Sequence, residues 1–595
     1  MPTISSYYYD PQLRRQIESL LLPEIQMPGQ YIGGEQGCVV KRAEEVRGRL
    51  CFAFPDTYTI GMSHYGLQLL YAIMNRQENW ACERAFTPER DMENLLLRNQ
   101  LPLYSLETFT PLDRFDVLAF SLQYELCFTN VLTMLSLGRI PIHSEERTMS
   151  HPLVIAGGPS VMNPEPMSPF IDLFVIGDGE ESLPAVCNAW LEYKNAGTDR
   201  KTALLEMARR FPYVYVPRFY HVEMTAAGRA MRPRPLESGV PEFVRPAVIP
   251  DLNRFEPPTF PVLPLIESVH DRISIEIMRG CPGQCRFCQS TVQKSPIRTR
   301  TIDSIVESAK TACEKTGVRD VSLLSLSASD YPGFDELVQK LREKLTSLGI
   351  SIAVPSLRVN HQLSEVMQSL TPERSSGITI APEAARDEMR KRILKQVTNA
   401  NLLDGCRSAF ENGFSRVKLY FMCGLPLETG EDIDGIVELS EKIAFLGKSV
   451  TKHFPVVTAS VSNFIPKPQT PFQWLGMQSR EYFAEVHQKL RTAKHLKCVQ
   501  VKYHGLETSL LEGLLCRGDR RMGHVIEKAW RNGARLDAWR EHFRFDLWQN
   551  AVAETGINEN QTLHEPYSLS EELPWGHIQT CRPVLFPRFL QSDSP

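Results

Sequence analysis

The chain has 595 residues, too many for one hydrophobic core, so two to four domains are expected. An apolar content of 42 % is that of an ordinary globular protein, and a net charge of −4 imposes neither a nucleic-acid nor a membrane partner. No run of 18 or more apolar residues and no basic stretch followed by an apolar core is present, so a soluble, cytoplasmic protein is the expectation.

Residues 1–45 read as an N-terminal arm. From 46 to 215 strands alternate with helices. "RLCFAF" ends at Pro55 and Asp56, Gly66 to Met74 has helical spacing, and "FDVLAFSL" is a buried strand before a helix from Leu126 to Leu137. "PLVIAGGPS" runs into Gly157, Gly158 and Pro159, and "IDLFVIGDGEES" into Gly177, Gly179, Glu180 and Glu181. Glycines at strand C-terminal ends let a flat ligand approach backbone. Residues 216–265 are rich in proline and short β-like runs, and read as a connector with a hairpin.

In residues 266–475 the apolar run Ile273 to Met278 is a strand leading into "RGCPGQCRFC". A helix opens at Thr301 or Asp303, carries Ile302, Ile305, Val306, Ala309 and Cys313 at helical spacing, and stops at Gly317. Next come the strand "VRDVSLLSLS", a helix from about Phe334, the strand "SIAVPSLRV", a short helix, and the strand "SGITIAPEA". A helix from Leu402 to Asn412 ends at Gly413. The strand "RVKLYFMCGLP" then precedes a helix capped by Thr429 and Asp432, and "VVTASVSNFIP" closes the series. This alternation predicts a parallel sheet. Residues 476–595 read as mostly helical, with one strand, "KCVQVKYH". Between Arg480 and Asp546 there are 14 Lys and Arg against 9 Asp and Glu, interleaved with Trp530, Trp539 and Trp548. The segment is either a face for an anionic substrate such as RNA, or the solvated side of helices whose tryptophans lie in the core.

The chemistry concentrates in Cys281, Cys285 and Cys288. Fourteen cysteines run from Cys38 to Cys581, and these three alone have ligand spacing, so there is no disulfide framework. Thiolates are soft and anionic and suit iron–sulfur ligation. Three on one tight loop can hold three irons of a cubane and leave the fourth open to a small chelating ligand. The alternative is a reactive or zinc-binding cluster, but a closed zinc site wants a fourth ligand and no further CxxC lies nearby. Gly280 and Gly283 allow the loop to fold tightly and Pro282 stiffens it.

This CxxxCxxC spacing, with Phe287 before the last cysteine, resembles the signature of the radical S-adenosylmethionine (SAM) superfamily. Together with the N-terminal αβ region, "RGCPGQCRFCQS", "SLSASDY", "APEAARDEMR", "FMCGLPLETGEDI", "RGDRRMGHVIEKAWRNGARLDAW" and "LPWGHI" resemble one bacterial subfamily. Its members place a cobalamin-binding-like domain ahead of the radical SAM core and are often fused to, or encoded beside, a second domain. The resemblance implies an α/β fold in three parts: an N-terminal doubly wound, cobalamin-binding-like domain, a partial (βα)6 TIM-like barrel with its site at the strand C-terminal ends, and a mostly helical C-terminal extension.

It further implies a [4Fe–4S] cluster on Cys281, Cys285 and Cys288, SAM on the open iron, and Phe287 beside the adenine. Ser325 and Ser327 stand where the family often has Gly-Gly-Glu for the SAM amino group. Ser356 and Arg358 end the third strand. Glu383 is placed for ribose hydroxyls, Arg358 or Arg386 for the SAM carboxylate, and Gly424 for backbone contact with adenine. Cobalamin domains that supply an axial histidine use Asp-x-His-x-x-Gly. Here Met62 and Leu67 replace the aspartate and glycine around His64, so His64 is expected to start a helix rather than ligate cobalt. A domain that binds cobalamin without His64 and one that has lost the cofactor both fit.

The implied function is cleavage of SAM to methionine and a 5′-deoxyadenosyl radical, extended by cobalamin-assisted methyl transfer to an unidentified substrate. The alternatives are an RNA-modifying, methylthiolation-type reaction without cobalamin and a non-catalytic iron–sulfur scaffold for redox sensing. The polar strand ends speak against the scaffold, which has no need of a SAM pocket. The implied partners are SAM, a flavodoxin- or ferredoxin-type electron donor and a separately encoded companion domain. RNA rests on the basic segment alone, and nothing implies a membrane.

Overall fold

The computed structural model describes residues 10–269, 272–354 and 377–590. The first sheet contains β1 (Gly48–Phe54), β2 (Trp80–Phe86), β3 (Val117–Ser121), β4 (Leu153–Gly157), β5 (Leu173–Val175) and β6 (Val214–Tyr215). Their order is β2-β1-β3-β4-β5-β6; the first five strands are parallel and β6 is an antiparallel edge. This is a doubly wound order that reverses direction between β1 and β3. Open α/β sheets of this kind bind ligands in the crevice beyond the strand C-terminal ends at that reversal.

Every residue of β1, β2 and β3 is buried, as expected of a parallel sheet covered on both faces. β2 lies outside the strands expected from sequence, because Glu83 and Arg84 interrupt its apolar run. Both charges are cancelled by residues distant in the chain. Arg49 reaches Glu83 at 2.7 Å, while Arg84 meets Glu35 at 3.1 Å and Glu107 at 2.6 Å. Buried Arg–carboxylate pairs with this geometry replace the water that each charge loses.

The connector contains the expected hairpin, β7 (Tyr220–His221) against β8 (Arg234–Pro235). Two of the strand-end glycines also meet the chain's own backbone. Gly177 has φ +103°, and a Cβ there would meet the Ala247 carbonyl oxygen at 2.2 Å. Gly158, with φ +102°, likewise approaches the Leu122 backbone.

In the core, β9 (Ile273–Glu276) pairs in parallel with β12 (Asp320–Leu324), and β12 with β13 (Ser351–Ala353). Between β9 and β12 a short antiparallel pair, β10 (Met278–Arg279) with β11 (Arg298–Thr299), brackets the cysteine loop. A second parallel sheet runs in chain order through β14 (Gly377–Glu383), β15 (Arg416–Cys423), β16 (Val456–Asn463) and β17 (Val499–Tyr503). The described residues therefore give two parallel sheets rather than one continuous barrel. The second half of the strand expected at "SIAVPSLRV", with Ser356 and Arg358, and the short helix after it lie outside the described residues. The strand "KCVQVKYH" is β17 and extends the core sheet in register with β16. Local signals at the helix ends hold: Thr301 caps its helix through the Ser304 N–H, Gly317 closes it in the left-handed conformation, and Thr429 with Asp432 forms a capping box.

The helices after β17 include Leu506–Arg517, Met522–Arg531 and Phe545–Thr555. Their apolar faces join the core of the first sheet. Trp530 Nε1 donates to Thr133 Oγ1 at 3.0 Å, Trp548 Nε1 to Asp537 Oδ1 at 2.9 Å, and Trp539 Nε1 to Asp56 Oδ1 at 2.9 Å. These tryptophans are core and inter-element anchors rather than a platform for bases. Arg517 is fully buried and donates to the Thr562, Gln473 and Glu565 carbonyls, and Arg520 pairs with buried Glu165 at 3.0 Å. Neither guanidinium is presented to a phosphate backbone. Trp548→Ala should cost about 3–5 kcal/mol of stability, the usual loss for a buried tryptophan. Chemical denaturation followed by N-terminal-sheet fluorescence would check this, and an unchanged midpoint would mean that the helices are not part of that core. Among the described residues no helix is long and apolar enough to cross a membrane.

Candidate functional site

The cysteine loop is the excursion of the β10/β11 hairpin. Gly280 starts it with φ +97°; a Cβ there would lie 2.9 Å from the Lys294 carbonyl oxygen and 3.0 Å from Ile297 Cα, so only glycine fits. The Gly283 N–H points at Cys281 Sγ (3.4 Å), and the Cys288 N–H donates to the Cys285 carbonyl at 3.1 Å. All three cysteines are partly exposed. Among the described residues no group of three metal-ligating side chains converges on a single ion. A cubane asks for one thiolate per iron, so the donor set fits it without such convergence. Amide N–H groups aimed at sulfur are also what tunes an iron–sulfur site.

The loop is tied to both sheets. At its root Arg279 donates to Asp178 Oδ1 (2.9 Å), Glu180 Oε1 (2.6 Å) and both oxygens of Glu276 (2.9 and 2.8 Å). Arg298, on β11, binds the other oxygen of Asp178. The Arg279 and Arg298 charges hold the Asp178 carboxyl below its ordinary value despite burial, and Arg279 does the same for Glu276. Asp178 and Glu180 follow β5, so this knot joins the cysteine loop to the first sheet. At its far end the loop touches the segment after β14: the Arg286 N–H donates to the Ile393 carbonyl at 3.1 Å.

Phe287 packs against an apolar group at the ends of β14 to β16 that includes Ala384, Met389, Ile393, Leu425 and Phe464. Gly424, with φ +85°, sits at the end of β15. Its N–H donates to Glu428 Oε1 at 2.6 Å, and a Cβ would strike the Phe483 ring at 2.7 Å. Glu383 ends β14 at φ +67°, a conformation rare for glutamate, and accepts from Lys395 Nζ at 3.2 Å. Burial raises its pKa against the pull of Lys395. Phe287, Gly424 and Glu383 thus stand at neighbouring strand ends. Arg386 points elsewhere: it pairs with Glu431 at 2.6 Å at the start of the helix Gly430–Thr451. Ser327 Oγ donates to Asp330 at 2.6 Å, while Ser325 Oγ has no hydrogen-bond partner among the described residues.

Between the first sheet and the core lies a cavity of about 550 Å³. One wall is formed by the C-terminal ends of β1, β3, β4 and β5 with the turn at His64; the other contains Ser274, Glu276, Gly280, Lys294 and Ser325. His64 caps the helix Tyr65–Arg76, its Nδ1 accepting from the Leu67 N–H at 3.1 Å, and burial pushes its pKa down to about 4. The lone pair of Nδ1 is committed to the cap, which accounts for His64 at the helix start. Sequence reading passed over Arg279 and Lys294. Both flank the cysteine motif, and an arginine directly before Gly280-Cys281 was the available signal.

The fold, the cysteine loop at a parallel-strand end and the polar groups around it define a protein of the radical SAM class. Family comparison agrees: "Radical SAM proteins, N-terminal" matches residues 66–217, and "Radical SAM superfamily" matches residues 275–440. The chain belongs to the radical SAM superfamily and is an enzyme of that class, whose cofactors are a [4Fe–4S] cluster and SAM. It is 27 % identical over 431 residues to the uncharacterized protein MJ0966 of Methanocaldococcus jannaschii, covering 71 % of this chain and 83 % of that one. It is 26 % identical over 242 residues to the ribosomal protein uS12 methylthiotransferase RimO of Crocosphaera subtropica, covering 38 % of this chain and about half (52 %) of that relative. Among solved structures it is similar to the radical SAM methyltransferase TsrM of Kitasatospora setae with cobalamin and [4Fe–4S] cluster bound (TM-score 0.45, 15 % identity, 70 % of this chain and 72 % of that one). It is also similar to the cobalamin-dependent SAM radical enzyme OxsB with aqua-cobalamin bound (TM-score 0.44, 12 % identity, 81 % and 66 %).

Proposed function

We propose that the chain is a radical SAM enzyme whose cluster sits on Cys281, Cys285 and Cys288, and that its interdomain cavity holds cobalamin for methyl transfer to a substrate carbon. The observation that carries this is the cavity itself. It joins the switch-point end of a doubly wound sheet to the root of the cysteine loop, so a ligand of the first sheet lies beside the chemistry of the second. When bound, the cluster supplies the electron that cleaves SAM to methionine and a 5′-deoxyadenosyl radical. The chain's own residues orient and enclose. Phe287 and the backbone at Gly424 offer an apolar shelf for adenine, Glu383 offers a carboxylate to ribose hydroxyls, and Arg279 fixes the loop root. The chain division into an arm, a first αβ domain, a connector, a core and a helical extension belongs to the same reading.

Anaerobically reconstituted protein should bind hydroxocobalamin and form 5′-deoxyadenosine from SAM. His64→Ala should leave the bound corrinoid absorbance unchanged while costing about 1 kcal/mol of stability as a lost helix cap. A spectral shift would restore His64 as a cobalt ligand, and no bound corrinoid would leave the cavity without that cofactor. Glu383→Ala should weaken SAM binding by about 1.5–3 kcal/mol, the range for a charge-assisted hydrogen bond. Unchanged affinity by titration calorimetry removes Glu383 from the SAM site.

A second reading, methylthiolation without cobalamin, is favoured by the similarity to methylthiotransferases over 31–38 % of the chain. SAM turnover by a corrinoid-free protein would support it. The burial of Arg517 and the pairing of Arg520 with Glu165 count against RNA as the substrate in either case.

A further inference from the structure

Lys294 ends the short helix that follows Cys288 and lies on the wall of the interdomain cavity. Its ammonium makes no hydrogen bond and no ion pair within 4.0 Å among the described residues, because the carboxylates nearby are already engaged. Glu276, Asp178 and Glu180 each accept from Arg279 at 2.6–2.9 Å, and Asp178 also accepts from Arg298. Of the two cations that line the cavity, Arg279 is bound to all three lining carboxylates, and Lys294 is left without a paired anion among the described residues.

Two further groups lining the cavity lack a hydrogen-bond partner among the described residues: Tyr65 OH, next to the turn at His64, and Ser325 Oγ, on the wall that carries Lys294. Native interiors rarely leave hydroxyls unpaired or an ammonium without an anion, since each costs free energy that only a partner recovers. Burial and the repulsion of Arg279 both depress the Lys294 pKa, and Lys294 in turn lowers that of His64. The place asks for negative charge.

We propose that the cavity takes a ligand bearing an anionic oxygen group, a carboxylate or a phosphate, and that the Lys294 ammonium is its anchor, with Tyr65 and Ser325 as adjoining hydroxyls. This rests on the reading that the cavity holds cobalamin beside the root of the cysteine loop, where SAM is bound. Two sources on that reading carry the chemistry: the phosphodiester of cobalamin and the carboxylate of SAM.

The test uses cluster-reconstituted full-length protein, with Lys294→Met removing the charge and Lys294→Arg keeping it. Binding is measured for hydroxocobalamin against cobinamide, which lacks the phosphate, and for SAM against 5′-methylthioadenosine, which lacks the carboxylate. The expected result is at least a tenfold loss of affinity in Lys294→Met for hydroxocobalamin or for SAM. Lys294→Arg should stay near the unaltered protein, and the matching anion-free probe should not change. Iron content and melting temperature equal to the unaltered protein show that the variant is intact; if Lys294→Met fails this check, Lys294→Gln takes its place. Hydroxocobalamin that does not bind the unaltered protein counts against the cobalamin reading alone, and the SAM pair then decides. Affinities within twofold of the unaltered protein for both anionic ligands overturn the anchor.

Discussion

Alanine at any one of Cys281, Cys285 or Cys288 should abolish formation of 5′-deoxyadenosine and lower the iron content of the reconstituted protein. The effect is expected to be complete rather than graded. The loop offers three thiols at ligand spacing and no further CxxC lies nearby in the sequence, so the motif holds no substitute donor. Gly280 and the N–H groups of Gly283 and Cys288 set the loop around these three sulfurs, and two thiolates cannot hold three irons. Folding should survive, because the three side chains are partly exposed and contribute little to any core. The measurements are iron and sulfide content, the absorbance of the cluster and product analysis. A triple variant that kept a full cluster and cleaved SAM would remove the loop from the chemistry.

Replacing Arg279 with methionine should cost about 3–5 kcal/mol of stability, the range for removing one partner of a buried charge network. Arg279 is 8 % exposed and is the common partner of Asp178, Glu180 and Glu276. Without it, Arg298 remains for Asp178, and Glu180 and Glu276 lose their ion pairs, with only the more distant charge of Lys294 left to act on them. Each then lowers its cost by taking up a proton, so the loss should grow as pH rises from the acid range to neutrality. The sign follows from the native protein, where Arg279 holds the pKa of Glu276 and Asp178 below their ordinary values. That stability is present above the unfolded carboxylate pKa and fades as pH falls through the lower folded one. Urea unfolding of the protein and the variant at several pH values would show this, together with iron uptake, which should drop because the loop loses its root. Equal midpoints at pH 7 would mean that the knot does not hold the loop.

Much of this was legible in the residues alone, because it is local. Thiolate chemistry and spacing identified the cysteine loop without any knowledge of where it packs. Helix ends followed from groups a few residues apart: Thr301 with Ser304, Thr429 with Asp432, and Gly317 at a left-handed cap. The strands with continuous apolar runs, such as β3 and β4, declared themselves in the same way. What only the tertiary structure decided involves partners far apart in the chain. β2 is a buried edge strand beside β1 although it carries Glu83 and Arg84, since Glu35, Arg49 and Glu107 neutralise them. Trp530 and Trp548 read as core more readily than as a stacking surface, and Thr133 and Asp537, which receive their indole N–H groups, are the partners that decide it. Gly177 is required by the backbone at Ala247, 70 residues on. Lys294 is an ordinary lysine in sequence. It acquires meaning only because folding engages every nearby carboxylate with Arg279 and Arg298, leaving its charge beside a cavity. A charge or a glycine states what it can do, but which neighbour satisfies it is settled by long-range packing, and local spacing carries no record of that choice.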